Sequence, residues 1–243
     1  MGTGWHVIAL VLLLLKTVTL AQSVVKPAAG QSLSVAQLSA TPDQLLNPRP
    51  LDWKSVPVKR VSLNRTPVLY DTDEPAALEI SSVDVRVARA NGKLLVQLTW
   101  QDTTRDATTL TPIPDTPPET RFRKVPTEAD DLFFDAAAVM FPDKAAITAI
   151  APSLQMGDAE HPVDIYYWNA ARGAMVMRAE GRSTTRRTGQ SFSANGRYQQ
   201  GSWTVTMELP DLPNDTTVAF AIWNGSQKDR DGRKYFSVWQ VLK

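Results

Sequence analysis

A chain of 243 residues that is 43% hydrophobic holds enough apolar material for one large domain or two small ones with a packed core. Its 26 basic and 25 acidic residues nearly cancel, which argues against a phosphate-binding surface and so against a nucleic-acid partner. The lack of cysteine excludes disulfides, cysteine-ligated iron–sulfur clusters, zinc–thiolate sites and the C-x-x-C-H attachment of covalent haem, so any iron cofactor would be held noncovalently.

In chain order, residues 7–15, VIALVLLLL, are apolar throughout and are closed by Lys16 and TVTLAQS, where Thr19 and Ala21 offer small residues ahead of a cleavage point. The run is well short of the ~20 apolar residues of a spanning helix, so residues 1–21 read as a secretory signal peptide rather than an anchor. The region ahead of it departs from the usual leader pattern, with only the amino terminus and His6 to supply positive charge. Removing residues 1–21 takes away Lys16 and no acid, leaving equal numbers of basic and acidic residues and no stable membrane span. Residues 22–50, rich in Ala, Ser, Gln and Pro without sustained periodicity, read as an extended N-terminal arm.

Residues 51–243 read as one β domain. VDVRVARANGKLLVQLTW (83–100) points Val83, Val85 and Val87 inward, turns at Asn91-Gly92 and returns with Val96, Leu98 and Trp100 on one face. That pattern predicts a hairpin with a primed turn. The proline-rich stretch 103–130 predicts a long irregular loop. DAAAVMFP (135–142) fits a buried strand, and GAMVMRAEG (173–181) and GSWTVTMELP (201–210) alternate as half-buried strands. In the latter Trp203, Val205, Met207 and Leu209 share a face. TTVAFAIWNG (216–225) is apolar on both faces and reads as a central strand, and a final strand is expected from Lys234 to the end. With no long amphipathic helix and no repeat, the expected fold is mainly β: an antiparallel β-sandwich with long loops and a few short helices.

Catalytic constellations are poorly supplied. G-x-S-x-G, H-E-x-x-H, Walker-type and G-x-G-x-x-G motifs are all absent. Beyond the leader the chain has one histidine, His161, without the context of a Ser-His-Asp triad. The neighbouring acids Asp130-Asp131 and Asp158/Glu160 read as solvated loop residues. Asn64, Asn214 and Asn224 head glycosylation triplets, which matter only in a host that glycosylates.

Two residues are out of pattern. Met140, Met175, Met177 and Met207 sit in strand-like runs where a flexible thioether fills core gaps, but Met156 stands in the loop QMGDAEHP. A single histidine forbids bis-histidine ligation of a haem, and a methionine projected from a loop is then the natural thioether ligand. Taken alone, Met156 reads first as a loop methionine covering apolar surface. The other is Lys234, whose alternation with Phe236 and Val238 puts an amine on an apolar face, opposite Tyr235, Ser237 and Trp239. Its plain reading is a lysine that reaches out to water at a strand start.

PSLQMGDAEHPVDIYYWNA (152–170) and FAIWNGSQKDRDGRKYFSVW (220–239) together resemble the haem b-binding gamma subunits of type II DMSO reductase-family molybdenum enzymes, the ethylbenzene, dimethyl sulfide, selenate, chlorate and nitrite oxidoreductase type. The likeness runs from Trp53 to Lys243 and is most specific at Met-Gly-Asp and at Gly-x-Lys-x-x-Ser-x-Trp. It implies a periplasmic, non-catalytic electron-transfer subunit that holds one noncovalent haem b with Met156 and Lys234 as axial ligands. The implied partners are an iron–sulfur beta subunit and a molybdopterin alpha subunit in a heterotrimer, with a c-type cytochrome as soluble carrier. The arm 22–50 and the loop 103–130 would then be docking surface, Arg172 or Arg233 would meet the haem propionates, and Trp168, Trp223 and Trp239 would wall the pocket. Pairing Met156 with His161 is disfavoured, because five residues of one loop would have to reach opposite faces of a porphyrin. The alternative class is an exported carbohydrate-binding β-sandwich that stacks sugars on exposed tryptophans and holds no cofactor; an immunoglobulin-like scaffold would explain the fold alone.

Overall fold

The computed structural model describes residues 31–47, 53–66, 80–107, 133–143 and 151–243. The leader 1–21, most of the loop 103–130 and Asp130-Asp131 lie outside the described residues.

The predicted hairpin forms as β5 (Ser82–Ala90) and β6 (Lys93–Gln101), joined at Asn91 and Gly92 with φ of 48° and 73°. Both turn residues take the left-handed values a primed turn demands, which asparagine tolerates and glycine adopts freely. β12 (Ser202–Leu209) pairs with β6, β11 (Ala194–Gln199) lies outside β12, and β3 (Lys59–Ser62) flanks β5. These strands and β2 (Val35–Gln37) form a six-stranded sheet.

The facing nine-stranded sheet is built on β7 (Ala136–Pro142), β8 (Val163–Asn169), β9 (Gly173–Ala179) and β13 (Thr217–Trp223). It is extended by β1 (Ser32–Leu33), β4 (Asn64–Arg65), β10 (Arg186–Arg187), β14 (Tyr235–Phe236) and β15 (Gln240–Leu242). Val83, Val85, Val96, Leu98, Trp203 and Met207 from one sheet meet Val139, Phe141, Phe220 and Ile222 from the other in a single core. The fold is the expected β-sandwich, antiparallel except at two pairings made by the N-terminal arm, where β1 runs parallel to β15 and β2 parallel to β5. The arm thus adds a strand to each sheet before α1 (Pro42–Leu46), whose Thr41 and Gln44 form a capping box. Leu33, Leu45 and Leu46 are buried against the chain's own body, so they are not free to dock elsewhere.

The last strand departs from expectation. It does not run unbroken from Lys234: β14 and β15 are separate, and Ser237, Val238 and Trp239 loop out between them. Phe236 stands opposite Ala221 while Gln240 stands opposite Val218, so one extra residue is accommodated, as in a β-bulge. Ser237 holds the break together: its N–H donates to Phe220 O and its hydroxyl accepts from Phe220 N–H. The slip reverses the facing of the residues beyond it. Tyr235 joins the central core, whereas Trp239, expected on the same side, packs in a separate cluster on the outer side of the nine-stranded sheet.

Candidate functional site

That outer side is where the site lies. In a sandwich the outward residues of a strand are ordinarily polar. Here β7 and β13 are apolar in both directions: Ala137, Val139, Phe220 and Ile222 face the core, and Ala138, Met140, Ala219 and Ala221 face outward. With Ile165 and Tyr167 from β8 and Met175 and Met177 from β9, they floor a cavity of about 860 Å³. The small alanines leave the space and the longer side chains wall it. Met140, Met175 and Met177 were expected to fill core gaps; only Met207 does so, and the other three belong to the cavity.

Two loops close over this floor. The first, between residues 153 and 163, carries Met156. Gly157 N–H donates to Ser153 O, Gly181 N–H donates to Met156 O, and Met156 and Gly157 both have left-handed backbones, with φ of 75° and 71°. A Cβ on Gly157 would stand 2.5 Å from His161 O, so glycine is required there. Holding a non-glycine residue in that conformation costs of order 1 kcal/mol and fixes the direction of the Met156 side chain.

The second loop joins β13 to β14. Asp229, fully buried, accepts both terminal nitrogens of Arg65 at 2.6 and 2.7 Å and the backbone N–H of Asn224 at 3.1 Å. Arg65 also stacks 4.4 Å from the ring centroid of Tyr235, the residue after Lys234. Thr66 donates its N–H and its hydroxyl to Lys234 O. The lysine carbonyl is therefore held by Thr66 just after β4, and Asp229 ties the loop that precedes the lysine to Arg65 of β4.

Met156 and Lys234 meet at the cavity. Lys234 Nζ lies 3.7 Å from Met156 Sδ and 5.3 Å from the Trp223 ring centroid. Burial lowers the lysine pKa from its ordinary 10.5, against a smaller opposing pull from Asp231. A neutral amine and a thioether are both donors to a soft or borderline metal. Among the described residues no cluster of His, Cys, Asp or Glu could hold a metal ion by itself, so a metal here would have to arrive with most of its coordination already filled.

The other candidate residues separate clearly. His161 is not among the lining residues; its ring Nδ1 lies 3.0 Å from Asp158 Oδ1, which also accepts the His161 and Glu160 backbone N–H groups. Arg172 lines the mouth and stands 5.8 Å from the Phe134 ring centroid. Arg233 does not; it turns to Asp229, with Nε 3.6 Å from the carboxylate. Trp223 walls the cavity, but Trp168 faces the central core. Trp239 backs the outer cluster, its indole N–H donating to Pro152 O at 2.9 Å beside the Met156 loop. Every tryptophan among the described residues is buried, so none offers the exposed stacking face of a sugar-binding module. Asn224 is buried and caps the turn Gly225–Gln227, which removes it as a glycan acceptor.

Residues 51–191 match the family model described as ethylbenzene dehydrogenase. A respiratory nitrate reductase haem subunit of Haloferax mediterranei is 32% identical over 81% of this chain and 67% of its own. The dimethylsulfide dehydrogenase gamma subunit of Rhodovulum sulfidophilum is 29% identical over 79% of this chain and 72% of its own. The chlorate reductase gamma subunit of Ideonella dechloratans is 28% identical over 84% and 82%. Among solved structures, a family 9 carbohydrate-binding module of Caldicellulosiruptor kristjanssonii in complex with glucose aligns over 88% of this chain and 96% of its own, at a TM-score of 0.40 and 10% identity. A likeness that loose says nothing about what this chain binds.

Proposed function

The chain belongs to the ethylbenzene dehydrogenase family, as a non-catalytic gamma-type subunit of the type II molybdenum oxidoreductases, and on that footing we propose that it carries one noncovalent haem b ligated axially by Met156 and Lys234. It would pass electrons between an iron–sulfur beta subunit, fed by a molybdopterin alpha subunit, and a periplasmic carrier such as a c-type cytochrome.

The observation that carries this reading is the approach of Lys234 Nζ to Met156 Sδ over an apolar floor. At 3.7 Å the amine and the thioether converge on the same part of the cavity, and they are the pair that would hold an iron brought in by a macrocycle. A cavity of about 860 Å³ also falls within the roughly 300–1,000 Å³ usual for cofactor sites. When bound, the haem would supply a one-electron couple and, with both axial positions taken, no open site for bond chemistry.

The residues of the chain do the rest. Burial over the apolar floor disfavours the ammonium form of Lys234, which eases the loss of the proton that metal binding requires. Met156 offers an uncharged donor that favours the reduced metal, and its fixed backbone holds the sulfur in place. Arg172 at the mouth is placed to meet a propionate.

The test is spectroscopic. Residues 22–243 expressed in a haem-supplied periplasm should give a low-spin reduced spectrum and a pyridine haemochrome of type b. Met156→Ala and Lys234→Ala should each shift the iron towards high spin, whereas His161→Ala should leave it low-spin. A colourless protein that takes up no added haem would sink the proposal.

A further inference from the structure

We propose that Arg182 and Arg187, at the mouth of the cavity, form the docking surface for an electron-carrier protein that presents an acidic face, an inference that rests on the haem reading above. Four arginines line that mouth: Arg172, Arg182, Arg187 and Arg230, all exposed. A haem brings only a pair of propionates to them. Arg230 already stands 3.7 Å from the exposed Asp231, and Asp229, the other acid of the lining, is consumed by Arg65. Among the described residues the mouth therefore keeps positive charge beyond what its own acids and a pair of propionates would neutralise.

Strand register explains why the surplus sits on one side. Arg187 stands opposite Met177, and cross-strand partners share a face, so Arg187 stands over the cavity with the methionine. Arg186 stands opposite Arg178, on the other face. There Glu180 takes Arg186 at 2.8 Å and Arg178 at 3.5 Å, so the one acid of the segment 180–189 is spent away from the mouth. Arg182 and Arg187 are left without an acidic partner among the described residues. Arg187 is on β10 and Arg182 in the turn before it, and among the described residues β10 ends the order of the nine-stranded sheet. Both are exposed, so an approaching protein can reach them.

Charge in this position acts at a distance. The screening length is about 30 Å at 0.01 M salt and about 10 Å at 0.1 M, and steering of this kind changes association rates by roughly 10–10³-fold. It would orient an acidic carrier with its redox edge against the cavity, where a bound haem would supply the single electron that the carrier accepts, with no proton or bond exchanged.

The experiment uses the full mature chain loaded with haem and the double variant Arg182→Glu/Arg187→Glu. Oxidation is followed by rapid mixing with hexacyanoferrate(III), an anion, and with tris(phenanthroline)cobalt(III), a cation. The rate with the anion should fall at least tenfold in the variant at 0.01 M salt, the rate with the cation should rise, and both differences should close by 0.5 M. In parallel, a fluorescein-labelled Glu-rich peptide should bind the haem-free parent chain and lose that binding in the variant. Equal rates for parent and variant at low salt would overturn the proposal. So would loss of haem from the variant, which would assign these arginines to the propionates. If the parent takes up no haem at all, the haem reading fails, and the peptide titration still decides whether an acidic partner docks here.

Discussion

The outer faces of the two sheets are made of the same kind of strand and differ in how their apolar part is covered. On the six-stranded sheet, Arg86, Gln97, Thr99, Thr204 and Thr206 point outward and pair across strands: Gln97 to Thr206 at 3.4 Å, Thr99 to Thr204 at 3.3 Å. Gln97 and Thr206 are themselves buried, and the apolar end of this face, Ala88, Ala90 and Leu95, is covered by α1 and Trp53 of the chain itself, so among the described residues this sheet keeps its apolar outer positions capped from within. On the nine-stranded sheet the corresponding positions are Ala138, Met140, Ile165, Tyr167, Ala219 and Ala221, roofed in part by Met156 and Lys234. An apolar outer face with a cavity over it needs an apolar guest. The difference between the two faces is thus itself the signature of the site, and it can be broken from either side.

The largest effect should come from the grip on Lys234. Asp229→Ala strands the nearly buried Arg65 guanidinium, and removing one partner of a buried pair costs about 3–5 kcal/mol. The Arg60–Asp84 pair on the six-stranded sheet has the same chemistry but is exposed, so Asp84→Ala should cost under about 1 kcal/mol. Urea denaturation of both variants checks the contrast. Only Asp229→Ala should also disturb the low-spin spectrum, because only Asp229 organises the loop that presents the lysine.

Filling the cavity comes next. Ala221→Phe puts a ring on the floor and should weaken haem uptake roughly hundredfold, about 2.8 kcal/mol, as read from a Soret titration. Thr204→Phe on the other outer face should leave uptake unchanged. Equal behaviour of the two variants would mean that haem is held somewhere other than on this floor.

How much of this the sequence discloses depends on the range of the cause. The Asn91-Gly92 hairpin and the two-sided apolarity of TTVAFAIWNG are local, and both can be read directly. Met156 and Lys234 stand out because each violates a local pattern, a methionine in a polar loop and a lysine in an apolar register. What stays hidden depends on distant partners. Asp229 finds Arg65 across 164 residues, and nothing near either residue announces it. The inward or outward facing of the methionines depends on which strands flank them: Met207 and Met177 look alike in sequence, yet one lies between the sheets and the other beneath the cavity. The extra residue between β14 and β15 defeats simple alternation, which is why Trp239 ends up on the cavity side and Trp168, read as its equal, does not. Arg233, chosen for its closeness to Lys234 in sequence, is spent on Asp229, while Arg182 and Arg187 reach the mouth through strand register.

A buried carboxyl just after β6 gives a smaller, pH-dependent effect. Asp102 is nearly inaccessible, and burial, with the Asp135 charge second, pushes its pKa up from 3.8 to about 6. A carboxyl whose folded pKa is raised binds more protons folded than unfolded between those values. Stability is therefore lost as pH climbs from 3.8 to about 6. Asp102→Asn cannot titrate, so its stability relative to the parent should rise by about 2 kcal/mol between pH 4 and pH 7. A pH-independent difference in thermal denaturation would show that Asp102 is ionised throughout.

The last contrast concerns the one cation placed under the apolar roof. In the haem-free chain Lys234 is a liability, since its folded pKa lies below 10.5 and the unfolded chain binds the proton more tightly. The cost is fully present below the folded pKa and disappears as pH rises through 10.5, so stability from this group increases with pH across that window. Lys234→Met keeps the length and removes the amine. It should stabilise the haem-free chain by about 1 kcal/mol at neutral pH, the scale on which active-site groups trade stability for function, with the gain shrinking as pH rises towards 10.5 and gone above it. The same variant should lose the lysine-ligated low-spin spectrum. A residue retained for packing would show neither the gain nor the loss, whereas one retained for its lone pair must show both.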